Sequence, residues 1–420
     1  MYFCTLQRLS AHIYVVPDMQ NHLDMNIAIY TLASELHDEQ AVAAITQEFL
    51  AGLQLDFDCR GNDYSDYGSY PLSLIYVQTG GTEGVFRKMF AALQETGHHP
   101  FYLLTSGKSN SLAASMEILS YLRKSGIDGE ILHGSNEYIN KRIRMLERVS
   151  IARDKLRGCR LGIIGEPSDW LISSDVDRMA VQSRLGIELV DIPMTELLEE
   201  IQSAPLKMPG ELSANPQIVG ALPGANQIYM ALKSMVEKCH LQGFTLRCFD
   251  LLPAVRNTGC LALAKLNAEG IVAGCEGDIP ALLSMMVAKS LVGVSGFQAN
   301  PARIDPETGE ILLAHCTIPF NMVDSYELDT HFESGIGVGI RGFMKEGPVT
   351  IFKLSGDLAR CFAEEGVLVR NQSQPDLCRT QQVIQLSDKS RISYFLTNPI
   401  GNHHIVLPGH WKVLLEEMIR

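Results

Sequence analysis

The segment Gly270-Ile-Val-Ala-Gly-Cys-Glu-Gly-Asp278 carries the residue types best suited to chemistry in this chain. An apolar run delivers two carboxylates, Glu276 and Asp278, to the point where the chain changes direction and a helix begins. Asp278 has a structural use there, because an aspartate just before a helix accepts hydrogen bonds from the free N–H groups of the first turn. It is also placed to act beside Glu276 as a catalytic carboxylate. Glu276 has no capping use, and a carboxylate at the end of a buried strand loses its hydration unless a cation or hydrogen bonds compensate. Its expected roles are metal ligand and acid–base group.

Imidazoles supply the second half of such a site. In Asn398-Pro-Ile-Gly-Asn-His-His-Ile-Val-Leu-Pro-Gly-His410, the neighbours His403 and His404 lie in an extended run, so their side chains point to opposite faces and one of them can enter a site. His404 is the preferred ligand of the pair. His315, in Leu312-Leu-Ala-His-Cys-Thr-Ile-Pro319, is presented by a short strand and is a third candidate. Carboxylate plus imidazole suits Mn²⁺ or Mg²⁺ better than a structural zinc, which would be cysteine-rich. Two other motifs are set aside: the glycines of 330–342 follow no strand–helix pattern, and Ser106-Gly-Lys-Ser109 has Tyr102 where a phosphate-binding loop needs its first glycine.

The elements that must position these residues read as alternating strands and helices from about residue 70, the signature of parallel sheets wrapped by helices. Strands are predicted at 72–77, 101–104, 160–164, 188–191, 244–249 and 271–275, with helices at 195–203, 216–239, 259–268 and 279–291. Beyond Gly293 the helical period fades into short β runs at 311–316, 337–340, 349–354, 382–386 and 405–407. The fold class is therefore α/β: two doubly wound, Rossmann-like α/β domains (1–158 and 159–292) and a mostly β C-terminal domain (293–420). Ligands of open parallel sheets bind where the strands end. Gly81, Thr82 and Glu83 lie in one such loop, Ser106 to Asn110 in another and Trp170 in a third, and with Asn300 they are the expected substrate contacts.

A net charge of -13 and the lack of a basic run argue against nucleic acid as a partner. No window approaches the ~18 apolar residues of a membrane span, and residues 1–18 do not read as a signal peptide. The ten cysteines form no CxxC pair and read as reduced, buried thiols, which fits a cytoplasmic protein.

At Gly274-Cys-Glu-Gly-Asp278, His315 and Gly401-Asn-His-His404 the chain resembles the L-fucose isomerase and L-arabinose isomerase superfamily, in particular its shorter relatives. The likeness is best over 240–420. It implies two α/β domains with a β-rich third, a divalent metal (usually manganese), and aldose–ketose interconversion through an ene-diol. It further implies a homo-oligomer, a trimer or hexamer, with sugar contacts partly from a neighbouring subunit. By the resemblance Glu276 is the first metal-binding and catalytic glutamate, His315 a histidine that helps to hold the metal, and His404 or His403 the late metal-binding histidine. By the same resemblance a second acidic ligand, Asp or Glu, is expected two residues after a phenylalanine that follows the Glu-Gly-Asp helix, whereas Phe297 is followed here by Gln298, Ala299 and Asn300. An amide oxygen can coordinate a hard cation but cannot take up a proton at neutral pH. Asp305, Glu333 and Asp278 are the carboxylates that could stand in. The rival expectations are a non-catalytic sugar-binding or sensor protein, and a lyase or epimerase using the same metal-stabilised enediolate.

Overall fold

The computed structural model describes residues 25–97, 100–210 and 215–420; the N-terminal stretch read for a signal peptide lies outside them. The chain divides into two compact units, Met1–Glu147 and Arg148–Arg420. Together they are mixed α/β: parallel sheets flanked by helices, followed by a mostly β region built around a barrel.

The first unit holds β1 (Ile27–Leu32), β2 (Asp58–Gly61), β3 (Leu72–Val77), β4 (Phe101–Leu104) and β5 (Gly129–Leu132), ordered β2-β1-β3-β4-β5. All four pairings are parallel. β3 and β4 are buried at every position, which is why they read as unbroken apolar runs: a parallel sheet is covered on both faces. Alternate residues serve the two faces, with Tyr30, Ile75 and Leu103 in one cluster and Ile29, Leu74 and Tyr102 in the other.

The second unit begins with β6 (Arg160–Ile164), β7 (Glu188–Ile192), β8 (Gly243–Leu246) and β9 (Val272–Cys275), a parallel sheet of order β7-β6-β8-β9. The run expected as a strand to residue 249 stops at Leu246 and gives way to a 3-10 turn, Cys248–Asp250. After β9 comes the helix Ile279–Val292, which has no polar face: it packs on Leu161, Ile163 and Val272 of the sheet, and on Phe352, Leu354, Ile405 and Leu407 of the barrel. A helix apolar all round is a buried helix.

The barrel strands are β10 (Phe297–Asp305), β11 (Glu310–His315), β14 (Gly347–Leu354), β15 (Cys361–Gln372), β16 (Thr380–Leu386) and β17 (His404–Pro408); they close in the order β10-β11-β16-β15-β14-β17. β12 (Ser325–Asp329) and β13 (Gly339–Phe343) form a separate antiparallel pair between β11 and β14 in sequence. Inward residues from every barrel strand make one core: Phe297, Leu313, Ile351, Phe362, Ile384 and Val406. Their neighbours Phe352, Leu354, Ile405 and Leu407 face out onto the buried helix. This period of two decides which side of β17 each histidine serves.

Candidate metal centre

The turn after β9 is built to present one carboxylate. Glu276 and Gly277 both have positive φ, 63° and 70°, and for a glutamate such a conformation costs about 1–3 kcal/mol. Three contacts hold it there. The Glu276 carbonyl accepts from the Ser168 N–H at 3.0 Å, Gly277 N–H donates to the Leu246 carbonyl at 3.0 Å, and Gly277 lies so near the Glu166 carbonyl that a Cβ would stand 2.5 Å from it. Only glycine fits that approach. Asp278 then caps the helix, its Oδ1 accepting from the Ala281 N–H at 2.7 Å.

Three side chains converge in front of this turn. His315 Nε2 lies 3.5 Å and His403 Nε2 3.6 Å from Glu276 Oε1. All three residues are buried, and their ligating atoms lie within 4.8 Å of one another. Each imidazole is oriented through its other nitrogen. His403 Nδ1 donates to Asp278 Oδ2 at 2.8 Å, and His315 Nδ1 is 3.0 Å from Thr317 Oγ1. Metal-binding histidines are characteristically held in this way, which fixes the tautomer that leaves Nε2 free. His403 Nε2 is buried and has no hydrogen-bond partner, an arrangement that costs stability unless another group engages that nitrogen. One carboxylate and two imidazoles around a common point therefore fit a divalent cation.

The electrostatics are consistent with that assignment. Burial would raise the Glu276 carboxyl, but the two imidazoles of His315 and His403 facing it outweigh burial and hold it well below the carboxylate range. Burial likewise opposes charge on Asp278, yet the Lys353 ammonium and the His403 hydrogen bond keep it ionised. Lys353 is itself fully buried and reaches Asp278 Oδ2 at 3.4 Å. Burial works against a charged His403, but Asp278 and Glu276 push it up to about 9. Asp278 thus has its charge balanced from one side and orients His403 from the other. Its full use as cap, Lys353 partner and His403 partner sets it behind the cluster, away from a position among the converging ligand atoms.

His404 is turned the other way. Its Nε2 meets Tyr394 Oη at 3.1 Å and its Nδ1 the Asn402 carbonyl at 2.9 Å, among the rings of Phe362, Tyr394 and Phe395. Burial pushes its pKa down to about 3. These positions put His403, and not the preferred His404, beside Glu276: His404 shares the inward face of Val406, whereas His403 lies on the side of Ile405, toward the buried helix and its capping Asp278.

Trp170, expected as a substrate contact, does reach the cluster: its Nε1 donates to Glu276 Oε2 at 2.7 Å while half of the residue stays exposed. Phe249 packs edge-on against it, with ring centroids 4.9 Å apart. Asn300 sits opposite Ala314 in the β10–β11 ladder. Gln298, next to Phe297, is spent on the backbone of Cys275: its Oε1 accepts from the Cys275 N–H at 2.9 Å and its Nε2 donates to the Cys275 carbonyl at 3.2 Å. Gly81, Thr82 and Glu83 belong to the first unit, where Thr82 Oγ1 donates to the Thr79 carbonyl at 3.1 Å and Glu83 opens a helix. Lys353, Thr317 and Phe249 were not singled out from sequence. The one signal for Lys353 is a lysine within the apolar run of β14.

No family model matches the chain. Sulfoquinovose isomerase of Priestia aryabhattai is 22% identical over 262 residues, covering 59% of this chain and 59% of the relative. The protein of the same name from Alkalicoccus urumqiensis is 20% identical over 266 residues, 58% of this chain and 59% of the relative. A third, from Clostridium sp., is 24% identical over 282 residues, 64% of this chain and 60% of the relative. The chain thus spans about three fifths of the length of the curated relatives it matches. These relatives support an isomerase family, under a substrate name other than fucose or arabinose.

Proposed function

We propose that this protein is a divalent-metal-dependent aldose–ketose isomerase, with Glu276, His315 and His403 as the metal ligands and Mn²⁺ or Mg²⁺ as the ion. The observation that carries the proposal is the convergence of those three groups at the end of β9, with each histidine oriented through its far nitrogen. The name shared by the relatives supplies the reaction class and suggests sulfoquinovose, or another aldose with an acidic substituent, as the substrate.

Aldose–ketose exchange moves one hydrogen from C2 to C1 and one from O2 to O1 through an ene-diol. The cation, when bound, supplies positive charge to the two sugar oxygens as the enediolate forms. The chain's own residues do the rest. Glu276, kept ionised, contributes an anionic ligand; Asp278 and Thr317 hold the imidazole planes; Trp170 and Phe249 form an apolar wall beside the cluster, against which the sugar ring lies. Contacts from loops such as Gly81-Thr-Glu83 of a neighbouring subunit in a homo-oligomer complete the reading.

The decisive assay is solvent-deuterium incorporation at C2 of sulfoquinovose and a panel of neutral aldoses, followed by NMR with added Mn²⁺. Exchange is expected, and it should cease with a chelator. A protein that binds one of these sugars with metal but exchanges none is a sugar-binding protein. That reading draws on one observation: no carboxylate occupies positions 298–300 after Phe297, and the Gln298 amide there is occupied by the Cys275 backbone.

A further inference from the structure

The ene-diol route needs a base that can take the C2 proton, and the carboxylates of the metal centre are poorly placed to be it. Glu276 faces both histidines through Oε1 and accepts from Trp170 through Oε2, so both of its oxygens are already engaged. Asp278 is fully buried behind His403 and is saturated by Ala281, His403 and Lys353. His315 and His403 are committed to the cation. Resting on the isomerase reading above, the structure assigns the base elsewhere: we propose that Glu333, on the loop of residues 330–337, is the catalytic residue that carries the proton between C2 and C1.

The loop is fixed next to the cluster by several independent contacts. His331 N–H donates to the Ile336 carbonyl at 3.1 Å and Gly335 N–H to the His331 carbonyl at 2.9 Å, closing the loop on itself. The His331 ring packs edge-on against Phe249 at 5.6 Å, and Phe249 in turn packs against the Trp170 that holds Glu276. On the other side, Arg379 ties the loop to His315's neighbour: its Nε donates to the Thr330 carbonyl at 2.7 Å and its backbone N–H to Cys316 Sγ at 3.5 Å. The loop that carries Glu333 is therefore tied to the aromatic wall through His331 and to the end of β11 through Thr330 and Arg379. Glu333 is exposed and, among the described residues, has no hydrogen-bond or ion-pair partner. Partial loss of hydration and the negative charge of Glu276 raise its carboxyl, with His315 acting in the opposite sense. An unpaired carboxylate on a loop fixed beside the cluster, within electrostatic reach of Glu276 and His315, meets the requirements of a general base.

The proton balance closes on this residue. Glu333 as carboxylate removes the C2 hydrogen as a proton; the C–H pair becomes the C1=C2 bond, and the C1 carbonyl pair passes to O1, which takes the proton leaving O2. The protonated Glu333 then returns its proton to C1, leaving the C2 carbonyl of the ketose and the residue as it began. No oxidant or further reactant is needed.

Glu333→Gln and His331→Gln are compared with wild type by deuterium incorporation at C2 of sulfoquinovose and the neutral aldose panel, with Mn²⁺ affinity measured in parallel by calorimetry. Glu333→Gln should lower exchange by about 100-fold or more, the usual share of a positioned base, with Mn²⁺ affinity unchanged and His331→Gln affected less. Exchange near the wild-type rate in Glu333→Gln overturns the assignment while leaving the isomerase reading standing. So does a joint loss of exchange and Mn²⁺ affinity, which would make Glu333 a ligand, and so does a larger loss in His331→Gln, which would move the base to that ring. Wild type that exchanges none of the sugars removes the isomerase reading and this role with it.

Discussion

His403 and His404 are neighbours in sequence and are equally buried, yet they belong to two different regions of the molecule. One side of β17 is a charged end-of-barrel cluster, where His403 lies between Asp278 and Glu276 and is pushed up to about 9. The other is an aromatic interior, where His404 is fenced by Phe362, Tyr394 and Phe395 and pushed down to about 3. Burial has the same sign for both rings. What separates them is the company that strand alternation gives each one: two carboxylates on one side, a tyrosine hydroxyl and a backbone carbonyl on the other. The carboxylate–imidazole cluster is a consequence of the face, and the residue type alone does not reveal it.

The largest effect that should break this contrast is loss of the charge behind His403. Asp278→Ala strands the buried Lys353 ammonium, frees the His403 Nδ1 proton and removes a helix cap. Destabilisation of about 3–5 kcal/mol is expected from the broken buried pair, with about 1 kcal/mol more for the cap, read by urea unfolding. Next in size is the histidine swap. His403→Ala should weaken Mn²⁺ binding by more than about 100-fold, beyond what changes in merely orienting groups cost. His404→Ala should leave that affinity close to wild type and instead cost about 1–3 kcal/mol of stability through the unpaired groups it leaves behind. Equal effects of both on metal affinity would erase the distinction between the faces.

The pH response sharpens the same comparison, with opposite signs for the two rings. His403 has its folded value raised from 6.5 to about 9. Its contribution to the metal-free protein is therefore full below about pH 6.5 and lost as pH rises through about 9. His404 has its folded value lowered to about 3, so its contribution is full above about pH 6.5 and lost as pH falls through about 3. Urea midpoints of the metal-free protein should fall from neutral toward alkaline pH, and His403→Ala should flatten that limb alone. Between the same limits, Mn²⁺ uptake should release about one proton per ion as the metal displaces it from His403, measurable by calorimetry in buffers of different ionisation enthalpy. The smallest expected effect is that of Thr317→Val, which removes the partner of His315 Nδ1 and should lower Mn²⁺ affinity by about tenfold without moving the urea midpoint's pH profile.

Much of this arrangement was legible in the sequence, for identifiable reasons. β3, β4 and β6 stood out because parallel strands covered on both faces are continuously apolar, and Glu276 stood out because a carboxylate ends such a run. β10 and β15 did not: one carries Gln298, Asn300 and Pro301 and has a register shift between Pro301 and Arg303, and the other carries Glu364, Glu365 and Arg370. Alternation told that His403 and His404 must part, but not which way. That depends on the phase of β17 against a helix that starts 125 residues earlier at Asp278, a tertiary fact. Lys353 escaped notice because a lone lysine in a strand gives no hint of a buried partner. The lack of a carboxylate after Phe297 was visible, but the sequence does not disclose that the Gln298 amide there is occupied by the backbone of Cys275.

The central claim is that Glu276, His315 and His403 form one cation site. It is tested most directly by a crystal soaked in Mn²⁺ and examined by anomalous diffraction at the manganese edge. The account predicts one strong peak per chain within coordination distance, about 2.0–2.3 Å, of Glu276 Oε1 and the Nε2 atoms of His315 and His403. No peak between those atoms at saturating Mn²⁺, or a peak on the His404 side of the strand, would contradict it.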